Sequence, residues 1–293
     1  MSGEDVAALR AEIQELADAP GHADPEVARR VVARLLVALR NGEVRAAEPG
    51  AAGWRAVTWV KEGILLAFRM GRTREYRPFR TAPNEDFGGS VPGWADRDTL
   101  PLRPLDPPER NVRIVPGGSS IRDGAYVAPN VVIMPPAFIN IGAYVDEGAM
   151  IDSHALVGSC AQVGKRVHVS AGAQIGGVLE PVGLRPVIVE DDALIAGNAG
   201  VFQGTLVGRR AVVAPGVQLT RSTAVYDLVN EEVYRATEDE PLTIPPGAVV
   251  VPGSRPASGG FAAREGVHLY VPVIVKYRDE RTDAATALED ALR

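Results

Sequence analysis

The chain of 293 residues carries one cysteine, Cys160, which excludes an intramolecular disulfide framework. It has no run of about 18 apolar residues, the length a membrane-spanning helix needs. The polar opening Met1-Ser2-Gly3-Glu4-Asp5 lacks the basic and apolar regions of a signal peptide, so a cytoplasmic address is expected. Cationic excess is also missing. Lys and Arg number 31 against 37 Asp and Glu, a net charge of −6, which argues against a general nucleic-acid or anionic-membrane binder. Aromatic residues are only 5% of the chain, whereas Gly and Pro reach 31 and 23. A turn-rich, aromatic-poor chain that is still 46% hydrophobic must build its core from small aliphatics in short segments, which points to repeats. Hydrophobic and charged shares of 46% and 23% are those of a soluble globular protein, with length for about two domains.

Residues 4–41 read as two helices. Val6, Leu9, Ile13 and Leu16 recur at steps of three and four, as do Val27, Val31, Leu35, Leu36 and Leu39 after Asp24-Pro25. Pro20-Gly21 separates them and Asn41-Gly42 ends the second. The apolar block 54–70 fits helix or strand equally. Residues 71–110, rich in Arg, Pro and Gly, read as loop and linker, placing a domain boundary near 110.

From Val115 a period of six begins. Val115, Ile121, Val127, Ile133, Ile139, Val145, Ile151, Val157, Val163, Val169 and Ile175 follow without a miss. With about one residue in four Val, Ile or Leu, that run arises by chance roughly once in four million placements. The next member, Val189, comes eight residues late, and Ile195, Val201, Val207, Val213 and Leu219 restore the frame. Four residues after most of these aliphatics stands a small one, among them Ala125, Ala137, Ala143, Ala149, Ala155, Ala161, Ala173, Ala193, Ala199 and Ala211. A parallel β-helix of triangular section demands this pairing: each side turns one bulky aliphatic inward, and each corner has room only for a small side chain. An alternating β-sandwich would show a period of two instead. The expected fold is mainly β, a parallel β-helix over 111–225 with an inserted loop at 176–188. An N-terminal helical or mixed domain occupies 1–110, and 226–293 forms a small C-terminal cap of strands with a terminal helix over 284–293.

Several stretches then resemble the tetrahydrodipicolinate N-succinyltransferase family of hexapeptide-repeat acyltransferases. They are Asn140-Ile141-Gly142-Ala143-Tyr144-Val145-Asp146-Glu147-Gly148, Asp152, Val157-Gly158-Ser159-Cys160-Ala161-Gln162-Val163-Gly164-Lys165 and Ile175-Gly176-Gly177-Val178-Leu179-Glu180-Pro181. Trp59-Val60-Lys61, Leu65-Leu66-Ala67-Phe68-Arg69, Val249-Val250-Val251-Pro252-Gly253 and Val273-Ile274-Val275-Lys276 extend the likeness over most of the chain.

The resemblance implies a left-handed helix and a homotrimer with active sites between neighbouring β-helices. It also implies a C-terminal element that closes over coenzyme A. The implied reaction joins the amine of a ring-opened amino-oxo-dicarboxylate to the thioester carbonyl of succinyl-CoA, the co-substrate, in lysine and diaminopimelate biosynthesis. No metal and no permanently bound cofactor is required. Such chemistry needs a carboxylate to orient or deprotonate the amine, donors for the carbonyl oxygen and cations for the substrate carboxylates.

Asp152 matches the family's catalytic aspartate. His154, where the family has tryptophan, is a second candidate base. Arg69, Glu180 and Arg185 are candidates for substrate contacts, and Arg255, Arg264 and Lys276 for the phosphates of coenzyme A. The family's Gly-Ala-Arg-Ser-Glu segment, whose glutamate is its second acid, is here Ala196-Gly197-Asn198-Ala199-Gly200. Asn198 and Gly200 therefore stand where acceptor and chemistry meet, and the second acid is missing. A diverged relative acylating another amino-dicarboxylate, or a catalytically silent trimer that binds acyl-CoA or a protein partner, fits the same departures. Four histidines, His22, His154, His168 and His268, are too few and too scattered to favour a zinc site. Cys160 is expected to be packed near a corner, since direct acyl transfer needs no covalent intermediate.

Overall fold

The structure, a computed structural model, describes residues 1–18, 24–51, 53–76, 94–238 and 240–279. Three helices form the N-terminal domain: α1 (Gly3–Asp18), α2 (Pro25–Arg40) and α3 (Thr58–Met70). Asp24 caps α2 by accepting the Glu26 N–H at 2.8 Å, with Pro25 in the first turn, where its missing N–H costs nothing. Leu9, Ile13, Val31, Leu35, Val60 and Ile64 make the core between the helices. Val27, expected inside, is 41% exposed, and Ala28 and Val32 take the inward positions. The ambiguous block 54–70 is both things in turn: Gly53–Ala56 pairs with Ala47–Gly50, and the remainder is α3. The expected linker also contains structure. Thr73–Tyr76 pairs with Trp94–Arg97, and Asp98 beside them binds Arg29 and Arg74, each at 3.1 Å. Pro20-Gly21, Arg77 to Gly93 and the expected terminal helix at 284–293 fall outside the described residues.

The repeats form a left-handed parallel β-helix with three faces. Two-residue strands stack in register along each face. On the first, Val127, Val145, Val163, Val189 and Val207 align. On the second, Ile133, Ile151, Val169, Ile195 and Val213 do so, and on the third, Ile121, Ile139, Val157, Ile175, Val201 and Leu219. These side chains are buried and form one continuous core with the corner alanines. The residue three after most inward aliphatics has positive φ, as at Gly142, His154, Cys160, Gly172, Asn198 and Gly216, and this turns the corner.

The first rung differs from expectation. Ile114, not Val115, lies opposite Ile133, so one extra residue is absorbed before Ile121 and the six-residue step from Val115 is coincidental. The end differs as well. After an excursion that includes the hairpin Val225–Asp227 and Glu232–Tyr234, the prism resumes. Ile244 pairs below Val207 and Val250 below Val213, with Gly247 at the positive-φ position and Ala248 at the corner. Part of the segment expected to be a cap therefore belongs to the β-helix itself. Beyond it, Ala248–Pro256 and His268–Tyr277 form a long antiparallel arm whose tip carries α4 (Gly260–Glu265).

The N-terminal domain lies against the first face and the edge between the third and first. The Arg45 guanidinium sits 3.5 Å from the Tyr144 ring centroid, and Tyr144 stacks on Tyr126. Ile141 and Cys160 from that edge enter the helical core. The eight-residue insertion leaves the prism at this same edge. It reads in sequence as a lid, yet it is fastened down. Lys61, fully buried on α3, donates from Nζ to the carbonyls of Pro181 at 3.1 Å and Leu184 at 2.8 Å, and Leu179 packs on the helical core. Burial pulls the Lys61 ammonium below the usual lysine range and pushes the Cys160 thiol up to about 12. Replacing Lys61 with methionine leaves two loop carbonyls without a donor. Lys61→Met is expected to cost about 1–3 kcal/mol in urea unfolding and to raise proteolytic cleavage within 176–187.

Candidate active site

The edge between the second and third faces gathers the chemistry. Asp152 follows inward Ile151 and is 25% exposed there. Its Oδ1 accepts the Ser153 N–H at 2.7 Å, and its Oδ2 lies 3.5 Å from His168 Nε2. His168 projects outward from the next coil of the second face, opposite Met150. Sequence reading named it only among possible metal ligands. The signal was available: a coil is eighteen residues, so a residue sixteen beyond Asp152 returns to its neighbourhood.

His154 is exposed at a positive-φ corner of the same edge, and its N–H donates to Pro136 O at 2.6 Å. Asn198 occupies the equivalent corner two coils on. Both are residue types that tolerate the left-handed region, so the turn itself accounts for their presence. Gly200 opens the third-face strand just beyond. Its φ is not positive, so backbone strain does not explain the glycine. Space does. A Cβ on Gly200 would lie 2.3 Å from Phe202 Cε2 and 2.3 Å from Gln218 Oε1, and one on Gly176 would lie 2.6 Å from Phe202 Cδ1. The Phe202 ring thus rests over two glycines, filling the position from which a glutamate at 200 would project.

The C-terminal arm reaches the same edge. Tyr270 OH accepts the Gln218 N–H at 2.9 Å, and the Gln218 side chain donates to Asn198 O at 3.0 Å. Phe202, Gln218 and Tyr270 were not found in sequence, because only folding brings the arm beside the prism.

The remaining candidates lie elsewhere in the chain. Glu180 and Arg185 are on the insertion, at the edge between the third and first faces, so one chain does not bring them to Asp152. Glu180 is exposed. Arg185 is turned to structural use, donating to Gly204 O at 3.1 and 3.3 Å, and burial lowers its pKa. Arg69 is exposed in the last turn of α3. Arg255 pairs across the arm with Leu269 and Lys276 with Val249, roughly 20 Å apart along the strand at about 3.3 Å per residue. Arg255 and α4's Arg264 are exposed, whereas Lys276 is half-buried. The three cations therefore form no single cluster. Among the described residues, no group of three or more His, Cys, Asp or Glu side chains is placed to hold a metal ion.

Stacked six-residue rungs on three faces define a hexapeptide-repeat protein. Comparison with known proteins narrows the class. Residues 8–70 match the model of the tetrahydrodipicolinate N-succinyltransferase N-terminal domain, and residues 186–221 that of the hexapeptide repeat of succinyl-transferase. A 2,3,4,5-tetrahydropyridine-2,6-dicarboxylate N-succinyltransferase of Gluconobacter oxydans is 45% identical over 270 residues, 90% of each chain. That of Coxiella burnetii is 42% identical over 272 residues, covering 92% of this chain and 91% of its own. The Acinetobacter baylyi enzyme is 38% identical over 269 residues, with 92% and 91% covered. The chain belongs to the tetrahydrodipicolinate N-succinyltransferase family.

The packing at Gly200 predicts how the missing acid can be restored. Gly200→Glu alone is expected to destabilise by about 1–3 kcal/mol through collision with Phe202. In a Phe202→Ala background the same glutamate should cost clearly less, as read by paired urea unfolding curves.

Proposed function

We propose that the protein is an acyl-CoA-dependent N-acyltransferase that moves the succinyl group of succinyl-CoA to the amine of ring-opened 2,3,4,5-tetrahydropyridine-2,6-dicarboxylate. The observation that carries this reading is full-length identity of 38–45% to enzymes named for that reaction, with Asp152 on the exposed edge the arm approaches. The amine attacks the thioester carbonyl carbon, the C–S bond breaks, and coenzyme A leaves as the thiol. In this reading Asp152 orients the amine or draws off its proton. The products belong to lysine and diaminopimelate biosynthesis, a cytoplasmic pathway. No described helix is long and apolar enough to cross a membrane.

A homotrimer goes with this reading. Val132, Met150 and Leu194 on the second face and Phe138 and Leu156 on the third point outward and are half-buried in the single chain, a surface suited to a sister prism. Glu180 and Arg185, on another edge, would meet Asp152 only across such a boundary. Sedimentation equilibrium is expected to give three times the 31.0 kDa chain mass.

One observation favours a second acceptor. Phe202 over Gly200 replaces an anionic position with an aromatic ring, which suits an acceptor that presents less charge there. Thiol release from succinyl-CoA decides between the readings. Release that requires the ring dicarboxylate supports the first, and release only with a different amine supports the second. Binding of coenzyme A without release across an amine panel identifies a silent binder. Asp152→Ala is expected to lower release at least a hundredfold, since positioned proton transfer contributes about 10²–10⁴ in rate. An undiminished rate removes Asp152 from the mechanism.

A further inference from the structure

The N-terminal domain and the first coils of the prism enclose a cavity of about 440 Å³, which neither Asp152 nor His168 lines. That is room for a small metabolite, since ligand pockets run from roughly 300 to 1,000 Å³. One wall is aromatic. Tyr76 and Trp94 stand opposite one another across the strand pair Thr73–Tyr76 and Trp94–Arg97, their rings stacked 6.1 Å apart at 17°. Trp94 is nevertheless 43% exposed, so much of its indole surface is left for a further contact. Phe138 adds a third ring from the third face, one strand from the end of that sheet.

The same cavity presents one charge of each sign. Asp96 is two residues beyond Trp94, which puts both on one side of the strand, and Arg122 follows inward Ile121 on the prism. Asp96 Oδ2 and an Arg122 Nη are 2.6 Å apart, and the two side chains remain 34% and 17% exposed. Each is also held from behind: Asp96 Oδ1 accepts the Arg97 N–H at 2.8 Å, and Arg122 Nη1 donates to Leu100 O at 3.1 Å. Neither group is saturated by these bonds. A carboxylate offers about four lone-pair sites and a guanidinium five N–H donors, and Arg122 Nε has no hydrogen-bond partner among the described residues.

An ion pair set in an apolar wall selects a ligand by the ligand's own charges. A lone carboxylate seated on Arg122 is repelled by Asp96, and a lone ammonium on Asp96 is repelled by Arg122. A zwitterion escapes both penalties. In an α-amino acid a single carbon separates ammonium from carboxylate, so the two lie side by side, as Asp96 and Arg122 do. We infer that this cavity binds a free α-amino acid with a flat apolar side chain. Its carboxylate lies on Arg122, its ammonium on Asp96 and its side chain against Trp94 and Tyr76. The site is separate from the Asp152 edge and does not depend on the acyl-transfer reading.

Calorimetric titration of the full-length protein with L-phenylalanine tests this. One molecule per chain is expected, with a Kd of about 1 mM or tighter. 3-Phenylpropanoate lacks the ammonium and phenethylamine the carboxylate, so each should bind at least about tenfold more weakly. Trp94→Ala is expected to weaken L-phenylalanine about tenfold. Arg122→Met should do the same, but it also strips the Leu100 carbonyl of its donor. The exposed Trp94 position therefore supplies the variant whose urea midpoint is expected to match the parent. Asp152→Ala should leave the titration unchanged. Absence of saturation at about 10 mM L-phenylalanine, far above the expected Kd, would overturn the assignment. So would either analogue binding as tightly as the amino acid, or binding that survives Trp94→Ala and is lost in Asp152→Ala.

Discussion

The structure depends on stacking one branched aliphatic per six residues along three faces. Each buried Val or Ile stacks on its counterparts in the coils above and below, and each two-residue strand shares its hydrogen bonds with those same coils. Corners must then be tight. They accept a small residue inside and a left-handed residue outside, which explains alanine at 143, 155 and 199 and the run of Gly, Asn and His at the positive-φ positions. Because the interior is fully occupied by aliphatics, every polar function is forced to the outer edges and to whatever leaves the prism there.

That constraint sets how the site is made. Insertions depart only at corners, and this chain has two large ones. The first is pinned to the helical domain by Lys61, whose buried ammonium satisfies two carbonyls, so the N-terminal domain and the β-helix act on the loop together. The second ends in a return to the prism and then the long arm, whose Tyr270 meets Gln218 beside Asn198. The edge with Asp152 and His168 is therefore bounded by parts that lie far apart in the chain. Its local chemistry carries no acid at position 200: the neutral Phe202 ring fills the space from which a glutamate there would project.

The wall of the fold was legible residue by residue. The period of six, the small residue four places on and the interruption after Ile175 translate directly into faces, corners and a loop. Even the resumed rungs at Ile244 and Val250 carry the full pattern, with Gly247 and Ala248 between them, but two repeats isolated behind a long excursion give too short a run to stand out. Val115 shows the opposite failure, a residue in step with the period that the pairing of Ile114 and Ile133 passes over. Of the site, Asp152 was readable from its motif. His168 was not, since alternation on a β-helix face hides which outward residue of one coil touches the corner of another.

The sequence by itself determined the prism, its insertion point and the family, because a one-dimensional repeat needs only its neighbours to bury its core. Tertiary structure alone decided which outward groups meet. It set Asp152 beside His168, laid Phe202 over Gly176 and Gly200, turned Lys61 to two loop carbonyls and Arg185 to the carbonyl of Gly204, and carried Tyr270 to the edge. Those contacts join coils, insertion and arm across sequence distances that no local pattern encodes.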